Sequence, residues 1–101
     1  MDQQFATFEE FYPFYLSEHT NQTCRRLHFV GICLVLLVGM NALWTGHWIR
    51  FLWMPVVGYT CSWIGHFVFE KNRPATFKYP FFSLRGDFVM FKDILTGKIK
   101  F

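Results

Sequence analysis

Two apolar stretches, FVGICLVLLVGMNALW at 29–44 and FLWMPVVGYTCSWIGHFVF at 51–69, decide the fold of this chain. Neither stretch contains an Asp, Glu, Lys or Arg residue. As helices that rise about 1.5 Å per residue, they approach the thickness of a hydrocarbon core of about 30 Å. Because so few residues separate them, we expect an antiparallel hairpin with a tight turn at Thr45-Gly46-His47.

The composition also indicates a membrane protein. The chain has 101 residues, enough for one domain, and 52% of them are hydrophobic. Only 17% are charged, against roughly 25% in soluble domains. We therefore predict an all-α membrane protein, with residues 1–101 forming one domain and spans at about 28–44 and 51–69. The net charge of +3 is scattered, which suits an anionic lipid surface and does not indicate a nucleic-acid partner.

Basic residues mark the open end of the predicted hairpin. Five of them flank the two spans at that end: Arg25, Arg26, Lys71, Arg73 and Lys78. The turn end offers Arg50 and the titratable His47. The positive-inside rule then predicts that the open end and both termini are cytoplasmic.

The segments outside the spans have the pattern of amphipathic helices at the open end. Thr7 to Glu10 has the capping-box pattern and begins a first helix, which Pro13 should kink. Ser83 is expected to cap a last helix, and Gly97 to end it. The sequence therefore predicts a compact four-helix arrangement.

Three of the four histidines should meet at the open end. His28 lies about 17 residues before the turn and His66 about 20 after it, so antiparallel helices bring them to similar heights. His19 lies in the segment that returns to that end, and Glu70 follows His66 by about one helical turn. Imidazole and carboxylate ligands suit Fe(II) or Zn, so a metal site is predicted here. His47, among tryptophans at the turn, is expected to be an interfacial anchor.

The remaining polar candidates have simpler interpretations. Arg25 and Arg26 are first of all topology determinants, with a secondary role in holding a ligand carboxylate. Cys24, Cys33 and Cys61 cannot pair completely and show no close pair, so they are interpreted as reduced packing residues.

Two motifs carry a resemblance to a known family. They are the stretch EHTNQTCRRLHFVG at 18–31 and the stretch HFVFEKNRPATF at 66–77, supported by Trp63, Pro80, Ser83-Leu84, Asp87-Phe88 and Met90. From about Tyr15 to Gly97, the chain resembles the small membrane family typified by the fungal 2-hydroxy fatty acid dioxygenase. The resemblance implies an endoplasmic-reticulum or bacterial inner-membrane protein that shortens 2-hydroxy fatty acids by one carbon, using Fe(II) and dioxygen.

The resemblance also implies roles for individual residues. His19, His28 and His66 match the family's histidine positions and would bind iron. The arginines at 25 and 26, or Asn72, would orient the substrate's head group. Glu70 and Asp87 are alternatives for a carboxylate ligand or for a partner that fixes an imidazole tautomer.

Two other functions remain open from the sequence. One is a non-enzymatic membrane hairpin that binds lipid or a partner protein, and the other is a zinc-dependent membrane hydrolase. The acyl length of the substrate and the oligomeric state are not determined by the sequence, and a homo-oligomer is compatible with it.

Overall fold

The structure, a computed structural model, describes residues 5–101, and these residues contain helices and no strand. The α-helices in this range are α1 (Phe8–Ser17), α2 (Gln22–Thr45), α3 (Trp53–Ile64) and α4 (Pro80–Leu95). Shorter elements are the 3-10 helices Trp48–Leu52 and Ala75–Phe77 and a π-helix, Gly65–Glu70. The predicted all-α class is confirmed. The single domain stays a prediction, and residues 1–4 of it lie outside the described range.

Helix α2 packs antiparallel against α3 and the π-helix. The contacts at small residues run in opposite chain directions: Gly39 with Met54, Val35 with Gly58, Gly31 with Cys61, and Cys24 with Gly65. At the turn, Gly46 adopts a φ of 71° and donates its N–H to the carbonyl of Ala42, which ends α2 in a left-handed cap. The close approach of the two chain segments therefore depends on positions without a bulky side chain.

Only α2, among the described helices, is long and apolar enough to cross a membrane. Just 33% of its most apolar window is buried inside the protein, so most of that surface faces outward. The predicted second span is divided into the 3-10 helix Trp48–Leu52, the short α3 and the π-helix. The two-helix transmembrane hairpin is thus not confirmed, because the backbone changes its helical pitch twice within 51–69.

The flanking helices α1 and α4 pack together at the open end of the hairpin. Thr7 caps α1 by accepting the N–H of Glu10, as the sequence predicts, and the helix continues through Pro13. Phe11, Tyr15 and Met90 are almost completely buried between α1 and α4. This aromatic core fixes the end of α1, and so the loop that follows it, beside the first turns of α2.

The predicted start of α4 at Ser83 is wrong. The helix begins at Pro80, and Ser83 is buried one turn inside it, with no hydrogen-bond partner for its hydroxyl among residues 5–101. Proline is favoured at the first helical position because its φ is already helical and no N–H is needed there. The helix ends at Leu95, shortly before Gly97, whose φ is 84°.

Candidate metal centre

Three histidines from three different segments meet at the open end. His19 lies in the loop after α1, His28 in α2 and His66 in the π-helix, and each is at most 4% exposed. Their ring centroids are separated by 4.4 Å for 19 and 28, 4.5 Å for 19 and 66, and 4.9 Å for 28 and 66. His47 is exposed at the opposite end. The structure therefore brings together the three histidines that the helix heights predict.

Each of these imidazoles uses its Nδ1 atom for a hydrogen bond away from the cluster. His19 Nδ1 is 2.6 Å from the carbonyl oxygen of Tyr15, and His28 Nδ1 is 2.8 Å from that of Cys24. Because a carbonyl oxygen only accepts, both Nδ1 atoms carry the proton and donate it. The same pairing of an outer N–H with a carbonyl oxygen is typical of histidines that bind metals through Nε2.

His66 is oriented in the same way by a side chain. Its Nδ1 is 2.8 Å from Oδ1 of Asn72, whose Nδ2 donates to the backbone carbonyl and to the carboxylate of Glu18, both at 3.2 Å. The two Glu18 acceptors fix the amide orientation, so Oδ1 must be the atom that faces His66. Asn72 returns to this position because Lys71 adopts a left-handed φ of 58°, which costs a non-glycine residue about 1–2 kcal/mol.

The inner nitrogens create a repulsive contact unless a cation lies between them. Nε2 of His19 is 3.1 Å from Nε2 of His28, and both atoms are acceptors because each ring has its proton on Nδ1. Nitrogen ligands at right angles, on a metal with bonds of about 2.0–2.1 Å, stand about 3 Å apart. The donor set therefore fits a transition metal held by imidazoles.

Cys24 joins this group, which the sequence did not indicate. The ligand atoms of His19, Cys24, His28 and His66 all lie within 4.8 Å of one another, and together they could hold a metal ion. The Cys24 sulfur lies 3.7 Å from Nδ1 of His28 and packs against Gly65 at the helix crossing. A spacing of four residues before a histidine in one helix is the signal that could have identified it.

The two candidate carboxylates lie outside the histidine group. Glu70 accepts the backbone N–H of Asn21 and the hydroxyl of Thr20, and it thereby joins the end of the π-helix to the start of α2. Asp87 in α4 accepts the hydroxyl of Tyr15. Neither carboxylate fixes an imidazole directly in this geometry. Their predicted role as ligands stays a prediction.

Electrostatics keep the loop histidine neutral. Burial, together with the neighbouring His28 and His66, holds the pKa of His19 well below its usual value. Tyr15 stacks on the His19 ring at 4.0 Å, and burial beside Asp87 raises the pKa of that tyrosine well above its usual value. Burial also raises the pKa of Asp87 to about 7. An uncharged imidazole keeps its Nε2 lone pair available for a metal.

Arg25 and Arg26 make contacts that hold the chain in place. One nitrogen of the Arg25 guanidinium donates to the carbonyls of His19 and Thr20, and its Nε donates to the carbonyl of Lys100. The Arg26 guanidinium lies 5.0 Å from the centre of the Phe101 ring. Neither arginine lines the cavity beside the histidines. Their predicted contact with a substrate head group stays a prediction.

A cavity of about 280 Å³ leads from the histidine group along the hairpin. Helix α4 forms the third wall of the cavity with Leu84, Asp87 and Phe88. Most polar groups of the cavity lie at one end, which His28 and Ser62 line. The Ser62 hydroxyl donates to Nε2 of His28 at 2.7 Å. Sequence reasoning missed Ser62, since a serine within an apolar run carries no signal of its own.

Comparison with known proteins supports one family. A family model described as 2-hydroxy-palmitic acid dioxygenase Mpo1-like matches residues 5–99. The match covers the histidine group, the cavity and all four α-helices. Searches of the curated proteins and of the solved structures found no match to this chain.

Proposed function

Because the chain belongs to the 2-hydroxy-palmitic acid dioxygenase Mpo1-like family, we propose that it shortens 2-hydroxy fatty acids by one carbon with Fe(II) and dioxygen. One observation supports the metal-dependent part of this proposal most directly. Three buried imidazoles, those of His19, His28 and His66, each donate Nδ1–H away from the group. Their ring centroids lie within 4.9 Å of one another. Neutral imidazoles suit Fe(II) among several divalent metals. We propose Fe(II) because the matching family is described as a dioxygenase.

The proposed reaction balances without a further cosubstrate. The bond between the carboxyl carbon and the carbinol carbon breaks, and dioxygen accepts the electrons. The carbinol carbon becomes the new carboxyl group, and carbon dioxide and water account for the remaining atoms. When bound, the iron would supply a Lewis acid that holds the carboxylate and the hydroxyl of the substrate and activates dioxygen.

The residues of this chain would position the substrate and keep water out. Ser62 and His28 both line the cavity, so the Ser62 hydroxyl would be available to the head group once Nε2 of His28 binds a metal. Asp87 lines the same end of the cavity and is held by Tyr15. In this proposal these two side chains would help to orient the hydroxyl and carboxyl groups of the substrate.

We propose the predicted membrane placement unchanged. Helix α2 would cross the bilayer and residues 51–69 would return across it, so that both termini lie on the cytoplasmic side and Gly46 on the other side. Large exposed apolar side chains support contact with lipid along this helix: Leu37, Met40, Leu43 and Trp44. Accessibility labelling of single cysteines at positions 46 and 100 tests the orientation. Labelling of both positions from the cytoplasm would indicate a re-entrant hairpin instead.

Metal analysis followed by turnover tests the function. Protein purified without oxygen and without chelator should contain near-stoichiometric iron, and it should convert 2-hydroxypalmitate to pentadecanoate when oxygen is admitted. Absence of metal would favour the non-enzymatic hairpin, which needs none. Palmitate without the hydroxyl group is the matched control substrate, and it should not be consumed.

A zinc enzyme is the second candidate, because a thiol lies within the histidine group. The Cys24 sulfur belongs to the set of ligand atoms within 4.8 Å, and mixed cysteine and histidine ligands are typical of zinc. Zinc in the purified protein, together with ester or amide hydrolysis that needs no oxygen, would support this alternative. Replacing Cys24 by Ser should then lower metal content, whereas the iron enzyme should retain its metal.

A further inference from the structure

We infer that the cavity is a slot for a single acyl chain and that Met54 closes it and sets the length of chain that fits. This inference rests on the proposed function for the identity of the head group. It adds the direction in which the chain lies and the residue that limits its length.

Most of the polar lining lies at one end. His28 and Ser62 lie there, and Asp87 reaches it from α4. Farther along, α2 contributes Ile32 and Val35. Helix α3 contributes Met54, Pro55 and Gly58, together with the ring of Tyr59. A ligand that fits such a lining has one polar head and one unbranched apolar tail. A free fatty acid has this chemistry, and its carboxylate would lie at the histidine end.

The cavity is long enough to hold most of an acyl chain. Its wall on α2 runs from His28 to Val35, and its wall on α3 runs antiparallel from Ser62 to Met54. At about 1.5 Å per residue these walls are about 10–12 Å long. One leaflet of a hydrocarbon core of about 30 Å is about 15 Å thick, which is the depth that a membrane acyl chain occupies. Most of such a chain would therefore lie within the cavity.

Met54 lies at the apolar end. Its Cε and Sδ atoms lie 3.2 and 3.4 Å from the position where a Cβ on Gly39 would stand. The methionine thus crosses from α3 onto the surface of α2 at a point where glycine leaves room. The end of an acyl chain in the slot would meet this side chain. A long flexible thioether can close a cavity without the rigidity of a branched residue.

The test measures which fatty acids the protein retains, and it requires neither metal nor turnover. The protein in detergent is incubated with an equimolar mixture of saturated fatty acids from octanoate to eicosanoate, and the bound species are counted by native mass spectrometry. Taking the ratio of a variant to the unmodified protein in the same mixture cancels partitioning into the micelle. Each additional buried methylene should raise binding by about fourfold until the chain reaches the end of the slot.

Two variants should move that limit in opposite directions. Met54→Ala removes the side-chain atoms beyond Cβ, so the gain should continue for about two further methylenes, each worth about fourfold. Val35 lies opposite Gly58, about one helical turn before Met54. Val35→Phe adds volume there, so the gain should stop at shorter chains. Met40→Ala and Leu36→Phe, on exposed faces of α2, are the matched controls and should leave the profile unchanged.

Three results would overturn the inference. They are identical profiles for Met54→Ala and the unmodified protein, an equal shift in the controls, and no retention of fatty acid by any of the proteins. Val35→Phe adds side-chain volume, whereas Met54→Ala removes it. If one variant does not fold, the other variant still tests the inference. Loss of iron or of turnover leaves this binding result unaffected, so the slot and the proposed reaction can fail separately.

Discussion

The two ends of α2 contain similar residues in opposite environments. At the open end, Cys24 and His28 are buried where α2 packs against the π-helix and α4. At the turn, Trp44 is 92% exposed and His47 is exposed as well. Both ends offer imidazole and aromatic rings, but only at the open end do several segments converge. A buried histidine group therefore forms where several chain segments pack together, and the residue types alone do not determine its place.

The largest expected difference between the ends concerns their histidines. Replacing His19, His28 or His66 by Ala should remove most bound metal and lower turnover by about a thousandfold or more, because ligands of one metal act together. A second replacement should add little further loss. Metal analysis and turnover of purified variants check this. His47→Ala is the control at the turn and should behave as the unmodified protein; loss of metal in that variant alone would contradict the comparison.

A smaller difference is expected for the two asparagines at the ends. Asn72→Ala removes the acceptor for His66 Nδ1 and should weaken metal affinity by about 10- to 100-fold. Asn72→Asp keeps an acceptor oxygen and should recover part of the loss. Asn41→Ala removes a similar acceptor, from Arg50 at 2.6 Å, but near the turn. Competition with a metal-sensitive dye measures all three variants, and equal affinities for Asn72→Ala and Asn41→Ala would refute the positioning role.

The helix crossing should also respond differently at its two ends. At Gly65 an added methyl group would stand 3.0 Å from the Cys24 sulfur and 3.3 Å from its Cα, so Gly65→Ala should lower the free energy of unfolding by about 1–3 kcal/mol. At Gly39 the nearest atom is the flexible end of Met54, and Gly39→Ala should change stability by less than about 0.5 kcal/mol. Thermal unfolding in detergent compares them, and similar losses would mean that packing is equally tight throughout.

The last contrast is in pH dependence, because Asp87 lies at the buried end. Burial raises its pKa in the folded protein from 3.8 to about 7. Its contribution to stability is therefore complete below pH 3.8 and is lost as the pH rises through about 7. Asp87→Asn should remove this part of the pH dependence. Between acid and alkaline pH, the variant should therefore lose less stability than the unmodified protein does. The measurement is the melting temperature of both proteins as a function of pH. If the two melting temperatures changed with pH in parallel, the Asp87 carboxyl group would not be desolvated.

Helix spacing was sufficient to bring His28 and His66 together, because an antiparallel pair converts distance from the turn into height. The same arithmetic could not find the change to π-helical pitch at Gly65, because no residue type in this segment marks a change of pitch. It also could not assign Asn72 to His66. That contact depends on the left-handed turn at Lys71, which the residue type does not favour.

The flanking helices show where local rules compete. The cap at Thr7 was predictable because a single hydrogen bond decides it. Ser83 has the residue type of a cap, but Pro80 begins the helix earlier and leaves the serine buried. Asp87 reaches Tyr15 rather than an imidazole, since α4 packs on α1 at that point. The start of α4 and the partner of Asp87 depend on tertiary packing. The spacing of residues along one segment does not predict that packing.

The histidine group has a consequence for folding that is separate from catalysis. An ion bound by His19, His28 and His66 would cross-link the end of α1, the start of α2 and the π-helix, and so close a long loop of the chain. By analogy with disulfides, such a closure removes unfolded-state entropy worth up to about 4 kcal/mol. Chelation would then lower the resistance of the protein to mechanical and thermal unfolding, as well as its turnover. A chelator added during extraction from membranes would remove a cross-link that the fold depends on.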